Sequence, residues 1–174
     1  MPKKSPYEKL DLKIGLECHQ QLDTGKLFCK CPCIITDEQS DFKIKRYLRA
    51  SASELGGVDQ AALYELQKGK HFIYQGYKKA NCLVELDESP PEEINQEALR
   101  IALQVSLLLN AKVIDVIQFM RKIVIDGSNT TGFQRTALVA MNGYIETSEG
   151  RISIPTVCLE EESAKKVEDT EHYR

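Results

Sequence analysis

Ser89-Pro-Pro-Glu-Glu-Ile-Asn-Gln-Glu-Ala-Leu-Arg-Ile-Ala-Leu-Gln-Val-Ser-Leu-Leu-Leu-Asn110 is the clearest helical stretch in the chain. Ile94, Ala98, Ile101, Val105 and Leu108 recur at the three-to-four spacing that lines up side chains on one helix face. Leu99, Leu103, Leu107 and Leu109 widen that stripe, which predicts a helix buried over much of its girth. Ser89-Pro-Pro-Glu92 fits a capping box with proline at the first helical position. Asn95 is a rival cap, so the start stays open by several residues.

Strand-like patterns surround this helix. Leu12, Ile14, Leu16, Cys18, Gln20 and Leu22 alternate with Asp11, Lys13, Gly15, Glu17, His19, Gln21 and Asp23. That period of two predicts a half-buried strand with a polar face. Asp23-Thr-Gly25 closes it, and Lys26-Leu-Phe-Cys29 opens a second short strand, giving a hairpin. Residues 33–57 show no clean period and hold a basic run, Lys43-Ile-Lys-Arg46 with Arg49. Asp59 is placed to cap a short helix bearing Ala61, Ala62, Leu63 and Leu66 on one face.

Phe72 to Tyr77 and Cys82 to Leu86 each read as a short strand. Val113 to Ile125 gives one or two more, and Asp126 to Gly132 a loop rich in turn residues. Phe133 to Ala140 is a further strand, with turns at Asn142-Gly143 and Ser148-Glu-Gly150. Ile152 to Leu159 follows, and Pro155 marks it as an edge strand or a bulged one. Strands outnumber helices and several are hairpin-linked. The expected class is therefore α+β, a mainly antiparallel or mixed sheet with the 89–110 helix on one face. Residues 1–10 are polar and read as a loose terminus.

With 174 residues, the chain has room for one domain, or one domain and part of a second. Its 42% hydrophobic and 28% charged residues place it among globular chains rather than disordered ones. The net charge of −3 argues against coating nucleic acid by bulk charge, while a local basic patch stays possible. The apolar stretch Val105–Leu109 is broken by Ser106 and falls far short of the roughly 20 residues of a membrane span. No apolar segment follows the charged Met1-Pro-Lys-Lys, so the expected location is cytoplasmic. In that compartment Cys18, Cys29, Cys31, Cys33, Cys82 and Cys158 are expected as thiols.

Four groups of residues could carry chemistry. One is the Asp126–Gly132 loop after Arg121-Lys122, whose N–H groups can meet an anion, although such a loop is more often just a turn. Glu17 and His19 share a face at about 7 Å along a strand, at about 3.3 Å per residue. A carboxylate and an imidazole so placed can ligate a divalent cation with help from elsewhere, although polar-out alternation alone also explains them. Glu160-Glu-Glu162 ends an apolar strand, where carboxylates suit Mg²⁺ or are simply solvated. Cys29-Lys-Cys-Pro-Cys33 offers thiolates to zinc, but structural zinc sites favour paired C-x2-C elements. Cys82 is the one remote candidate for a fourth thiolate, and a turn of half-buried thiols is the simpler reading.

Four blocks recur together in one family. They are Ile14-Gly-Leu-Glu-Cys-His-Gln-Gln-Leu-Asp-Thr24 with Lys26-Leu-Phe-Cys29, Cys82 to Pro91, Met120 to Thr136, and Cys158-Leu-Glu-Glu-Glu-Ser-Ala-Lys165. In order and content they resemble the B/E subunits of tRNA-dependent amidotransferases. The Arg121-Lys-Ile-Val-Ile-Asp-Gly-Ser-Asn129 block is similar to that of the archaeal E branch, which acts on glutamyl-tRNA(Gln). The resemblance implies an enzyme that uses ATP and Mg²⁺ to activate the γ-carboxylate of glutamate on misacylated Glu-tRNA(Gln). Ammonia from an asparaginase-like D subunit then displaces phosphate and gives Gln-tRNA(Gln).

It further implies that residues 11–174 are the N-terminal part of a cradle-shaped catalytic domain within a longer subunit with a homodimeric core. By motif, His19 matches the metal-binding histidine, Glu17 the adjacent acidic position and Glu161 the next metal carboxylate. Lys122 matches a basic position facing the reacting end. A further acidic ligand is expected beyond Arg174, so the isolated chain is expected to be inactive. The competing reading is a non-catalytic RNA-binding or zinc-stapled module, built on Lys43, Lys45, Arg46 and Arg49 with the cysteine cluster.

Overall fold

The structure, a computed structural model, describes residues 15–47, 57–58, 60–69, 71–122, 134–162, 167–168 and 170. It is α+β, and all the strand pairings among the described residues are antiparallel. A two-stranded sheet pairs β1 (Phe42–Tyr47) with β2 (His71–Gly76), and α1 (Gln60–Gln67) lies between them in sequence. The larger sheet is built on β5 (Gln134–Thr147). One edge of β5 carries β6 (Gly150–Glu162) along its length. The other edge carries β3 (Lys112–Val113) and β4 (Phe119–Lys122) end to end. Helix α2 (Gln96–Leu108) packs on β3, β5 and β6, as the sequence predicts for the 89–110 segment.

Asn95, not Ser89, caps α2. Its side chain accepts hydrogen bonds from the N–H groups of Glu97 and Ala98 at 3.0 and 3.1 Å. The Ser89 start fails because the preceding segment is bonded elsewhere: Glu92 N–H donates to Phe28 O and Asn95 N–H to Leu27 O. The Asn95 amide also donates to Gly25 O and Lys26 O, so the cap fastens the helix to the 25–28 segment. A cap of this type contributes about 1 kcal/mol. The buried face of α2 is narrower than predicted. Only Ala98, Ala102 and Ser106 are buried, one helical turn apart, while Leu107 and Leu108 are exposed. Small residues let the helix backbone approach the sheet closely. Ser106 is satisfied there by donating to Ala102 O at 2.7 Å.

Four local expectations are corrected. Residues 15–41 form bends and irregular chain, not a hairpin, and Leu16 is 87% exposed. Alternation fixes which residues share a face only when a neighbouring strand completes the ladder, and no described strand pairs with this segment. Residues 42–47 form β1, with Phe42, Ile44 and Arg46 half-buried and Lys43, Lys45 and Tyr47 exposed. Residues 82–87 form consecutive turns, closed by Leu86 N–H to Cys82 O and Glu88 N–H to Leu83 O. Asp87 ends them with φ 58°, a region aspartate tolerates better than most residues.

Finally, β5 runs straight through Asn142-Gly143. Asn142 takes φ 58° without reversing the chain, and Gly143 lies beneath the end of α2. A Cβ at 143 would come 2.9 Å from Leu109 O, so the glycine is there for close approach. The reversal occurs at Ser148-Glu149, and a bulge interrupts the register between Leu138 and Ala140. As expected from Pro155, β6 is an edge strand among the described residues.

The core gathers Leu27, Phe28, Cys29, Val84, Ala98, Ala102, Ala137, Val139 and Leu159. Phe28 is fully buried, its ring 4.3 Å from that of Phe119. Thus the irregular 25–29 segment, rather than a strand, shares one core with α2 and the sheet. Among the described residues no helix is long and apolar enough to cross a membrane.

Candidate functional site

The same 25–29 segment and the 82–87 turns surround a group of buried charges. Glu85 is 8% exposed and bonded to the ammonium of Lys26, which also donates to Ala80 O at 2.8 Å. The Cys29 thiol donates to the other oxygen of Glu85 at 3.3 Å. Arg135, 2% exposed, donates to Val84 O at 2.6 Å and to Glu161 at 3.1 Å, with Asp87 at 3.6 Å. Glu161 also accepts from Leu27 N–H at 2.8 Å. A buried charge is tolerable only when paired and hydrogen-bonded, and here each carboxylate has both.

The Glu161 pKa is nonetheless raised. Burial is the largest cause and the nearby charge of Glu85 the next, opposed by the Leu27 N–H, Arg135 and Lys26. Strand pleat explains why Glu161, and not Glu160, turns to this cluster. Glu161 pairs in register with Arg135, while its neighbour Glu160 pairs with Thr136 and accepts from its hydroxyl.

Next to Glu85 the sulfurs of Cys29, Cys31 and Cys82 all lie within 4.8 Å of one another. Among the described residues this is the only group of three or more potential ligands so close. Cys33 is exposed and outside this group, while Cys82, the remote candidate, joins Cys29 and Cys31 through the fold. Burial pushes the Cys29 thiol well above its ordinary range, and Cys31 is raised for the same leading reason. Burial also opposes ionisation of Cys82, but the N–H groups of Glu85 and Val84 and the neighbouring thiols outweigh it, leaving that thiol lowered.

Glu17 and His19 come together, with Nε2 of the imidazole 3.6 Å from the carboxylate. Both are exposed, and Glu161 does not join them in a tight three-ligand group. Of Lys122 only the backbone is described, paired with Gln134 at the end of β4, and its side chain lies outside the described residues. So do Arg49 and the Asp126–Gly132 loop. The basic run of β1 does not form one free surface: Lys43 and Lys45 are exposed, but Arg46 folds back onto Leu86 O and Glu88. Sequence reasoning missed Lys26, Glu85 and Arg135. Only Glu85 carried a local signal, a charge inside the apolar run Cys82–Leu86.

The GatB/GatE catalytic domain model matches residues 12–174. The chain belongs to that family. It is 62% identical to the E subunit of the glutamyl-tRNA(Gln) amidotransferase of Methanocaldococcus jannaschii, over 94% of this chain and 26% of that protein. The corresponding E subunits of Archaeoglobus fulgidus and Methanosarcina acetivorans are 56% and 55% identical, over 96% and 95% of this chain and 27% and 26% of those proteins. The chain thus spans about a quarter of the length of these relatives. The match takes in the irregular 15–41 segment as well as the sheet. That segment therefore belongs to the GatB/GatE domain, although it forms no regular element here.

Proposed function

We propose that this chain is the activating domain of a subunit that converts Glu-tRNA(Gln) to Gln-tRNA(Gln). The observation that carries the reading is its 62% identity to a glutamyl-tRNA(Gln) amidotransferase E subunit across nearly all of its residues. A free carboxylate is a poor acyl donor because its leaving group would be oxide. Transfer of the ATP γ-phosphoryl group to the glutamate γ-carboxylate makes an acyl phosphate, and ammonia from an asparaginase-like D subunit displaces phosphate. The domain takes the cradle form of its family and receives the acceptor end of the tRNA.

Glu17, His19 and Glu161 would hold the divalent cation, with Lys122 facing the reacting end. Two carboxylates and an imidazole are a donor set that Mg²⁺ or Mn²⁺ accepts. When bound, the cation would neutralise charge on the transferring phosphoryl oxygens. The exposed Glu17–His19 pair is free to orient, while Glu161 is held in place by Arg135 and Leu27 N–H.

The thiol group is a second, structural metal position. In tetrahedral zinc, sulfurs bound at about 2.3 Å stand roughly 3.8 Å apart, so the three thiols need only a modest contraction. Glu85 is held by Lys26 and stands outside this group of three, so a fourth ligand would have to come from elsewhere. Since thiols must release protons to ligate, and Cys29 and Cys31 are raised, zinc uptake should strengthen as pH rises. Zinc stoichiometry near one per chain, falling to near zero in Cys82→Ser, is the expected result. Equal zinc in wild type and Cys82→Ser would remove this site.

The function itself is tested by supplying the full subunit and its ammonia-producing partner with ATP and either Glu-tRNA(Gln) or Glu-tRNA(Glu). Gln-tRNA should form from the first alone, with matching ADP release. ATP turnover indifferent to Glu-tRNA(Gln), with no amidated product, would overturn the assignment.

A further inference from the structure

We propose that Arg135 is a positioning residue for Glu161, setting the direction in which that carboxylate meets a divalent cation. The inference rests on reading Glu161 as a ligand of that cation. Arg135 and Glu161 face each other in the β5–β6 register, on the side of the sheet covered by the 82–87 turns and the 25–29 segment. The guanidinium is itself fixed. One amino group donates to Val84 O at 2.6 Å and lies 3.6 Å from Asp87, and the other donates to Glu161 at 3.1 Å.

A planar fork anchored at one end can turn little at the other. The second oxygen of Glu161 is taken by Leu27 N–H at 2.8 Å. Each carboxylate oxygen offers two lone pairs, so one donor on each fixes the plane of the group and leaves a lone pair on both. Glutamate has three side-chain torsions to restrict, and this pair of donors restricts them before any cation arrives. The anchors are also not local to β6. They come from the segments that carry Cys29 and from the turns that carry Cys82 and Glu85, so the carboxylate is aimed by the core of the domain.

Lysine cannot replace this fork, because a single ammonium on a flexible stem does not hold a carbonyl and a carboxylate in one plane. Arg135→Lys therefore keeps the charge and removes the alignment. Partners that orient a metal ligand typically contribute about 10- to 100-fold to metal affinity.

The test is a Mn²⁺ titration, followed by electron paramagnetic resonance, on the full subunit as wild type, Arg135→Lys, Arg135→Met and Glu161→Gln. The expected result is a loss of about tenfold in Mn²⁺ affinity for Arg135→Lys. Both Arg135→Lys and Glu161→Gln should recover turnover toward wild type as Mn²⁺ is raised, which a misfolded protein would not do. Should Arg135→Met fail to fold by circular dichroism, the lysine variant decides alone. Wild-type Mn²⁺ affinity in Arg135→Lys, with weakened binding in Glu161→Gln, overturns the proposal and leaves the ligand reading intact. Tighter binding in Arg135→Met also overturns it, since the guanidinium would then only repel the cation. Unchanged affinity in Glu161→Gln defeats the ligand reading itself.

Discussion

Replacing His19 by alanine in the full-length subunit should lower Glu-tRNA(Gln)-dependent ATP cleavage by about two to three orders of magnitude. A bound cation supplies several kcal/mol of charge stabilisation to phosphoryl transfer, and each 1.4 kcal/mol is tenfold in rate. The imidazole is exposed and its one described polar neighbour is Glu17 at 3.6 Å. Its removal therefore leaves no buried cavity and no orphaned buried partner. Stability and tRNA affinity should stay near wild type, which separates a chemical role from a structural one. The assay is ADP release alongside a tRNA binding titration. Wild-type ATP cleavage in His19→Ala would take the histidine out of the metal site.

Phe28→Ala should cost about 3–5 kcal/mol, a large part of the roughly 5–15 kcal/mol that holds a domain together. Among the described residues Phe28 is the largest fully buried side chain, tilted against Phe119 and packed among Val84, Ala98, Ala137 and Leu159. The surroundings have little means to collapse into the gap, because the alanines opposite it carry no side chain that could move in. The loss should also reach the site. Phe28 lies between Leu27, whose N–H holds Glu161, and Cys29, whose thiol meets Glu85. The urea midpoint of unfolding reads the first effect directly. A loss below about 1 kcal/mol would mean that Phe28 is not the centre of the core.

The sequence carried the helix, the α+β class and the edge character of β6, because each is written in local spacing. It misplaced what depends on partners. The Ser89 cap looks complete on its own, yet the backbone of 92–95 is spent on Leu27 and Phe28. Cys82–Leu86 is an apolar run that suits a strand or a buried turn equally, and only contacts with Cys31, Arg135 and Lys26 decide for the turn. Asn142-Gly143 is a turn dipeptide used within a strand because α2 needs room above it.

The site divides along the same line. Glu17 and His19 share a neighbourhood because they are two residues apart, and they meet even though the expected strand does not form. Cys82 lies 51 positions beyond Cys31, and Arg135 lies 26 positions before Glu161. Spacing along the chain cannot announce such pairings. Register could have paired Arg135 with Glu161, and its turn at Ser148-Glu149 was legible, but it also depends on the bulge at Val139, which alternation does not reveal.

Whether Glu17, His19 and Glu161 hold one divalent cation is tested most directly by pulsed electron paramagnetic resonance of Mn²⁺ bound to the full subunit with ATP. An imidazole nitrogen on the metal couples to its unpaired electrons. The expected result is one such Mn²⁺ per subunit, with a nitrogen coupling that vanishes in His19→Ala and weaker Mn²⁺ binding in Glu161→Gln. A bound Mn²⁺ with no nitrogen coupling, or a coupling that persists in His19→Ala, would contradict a shared site.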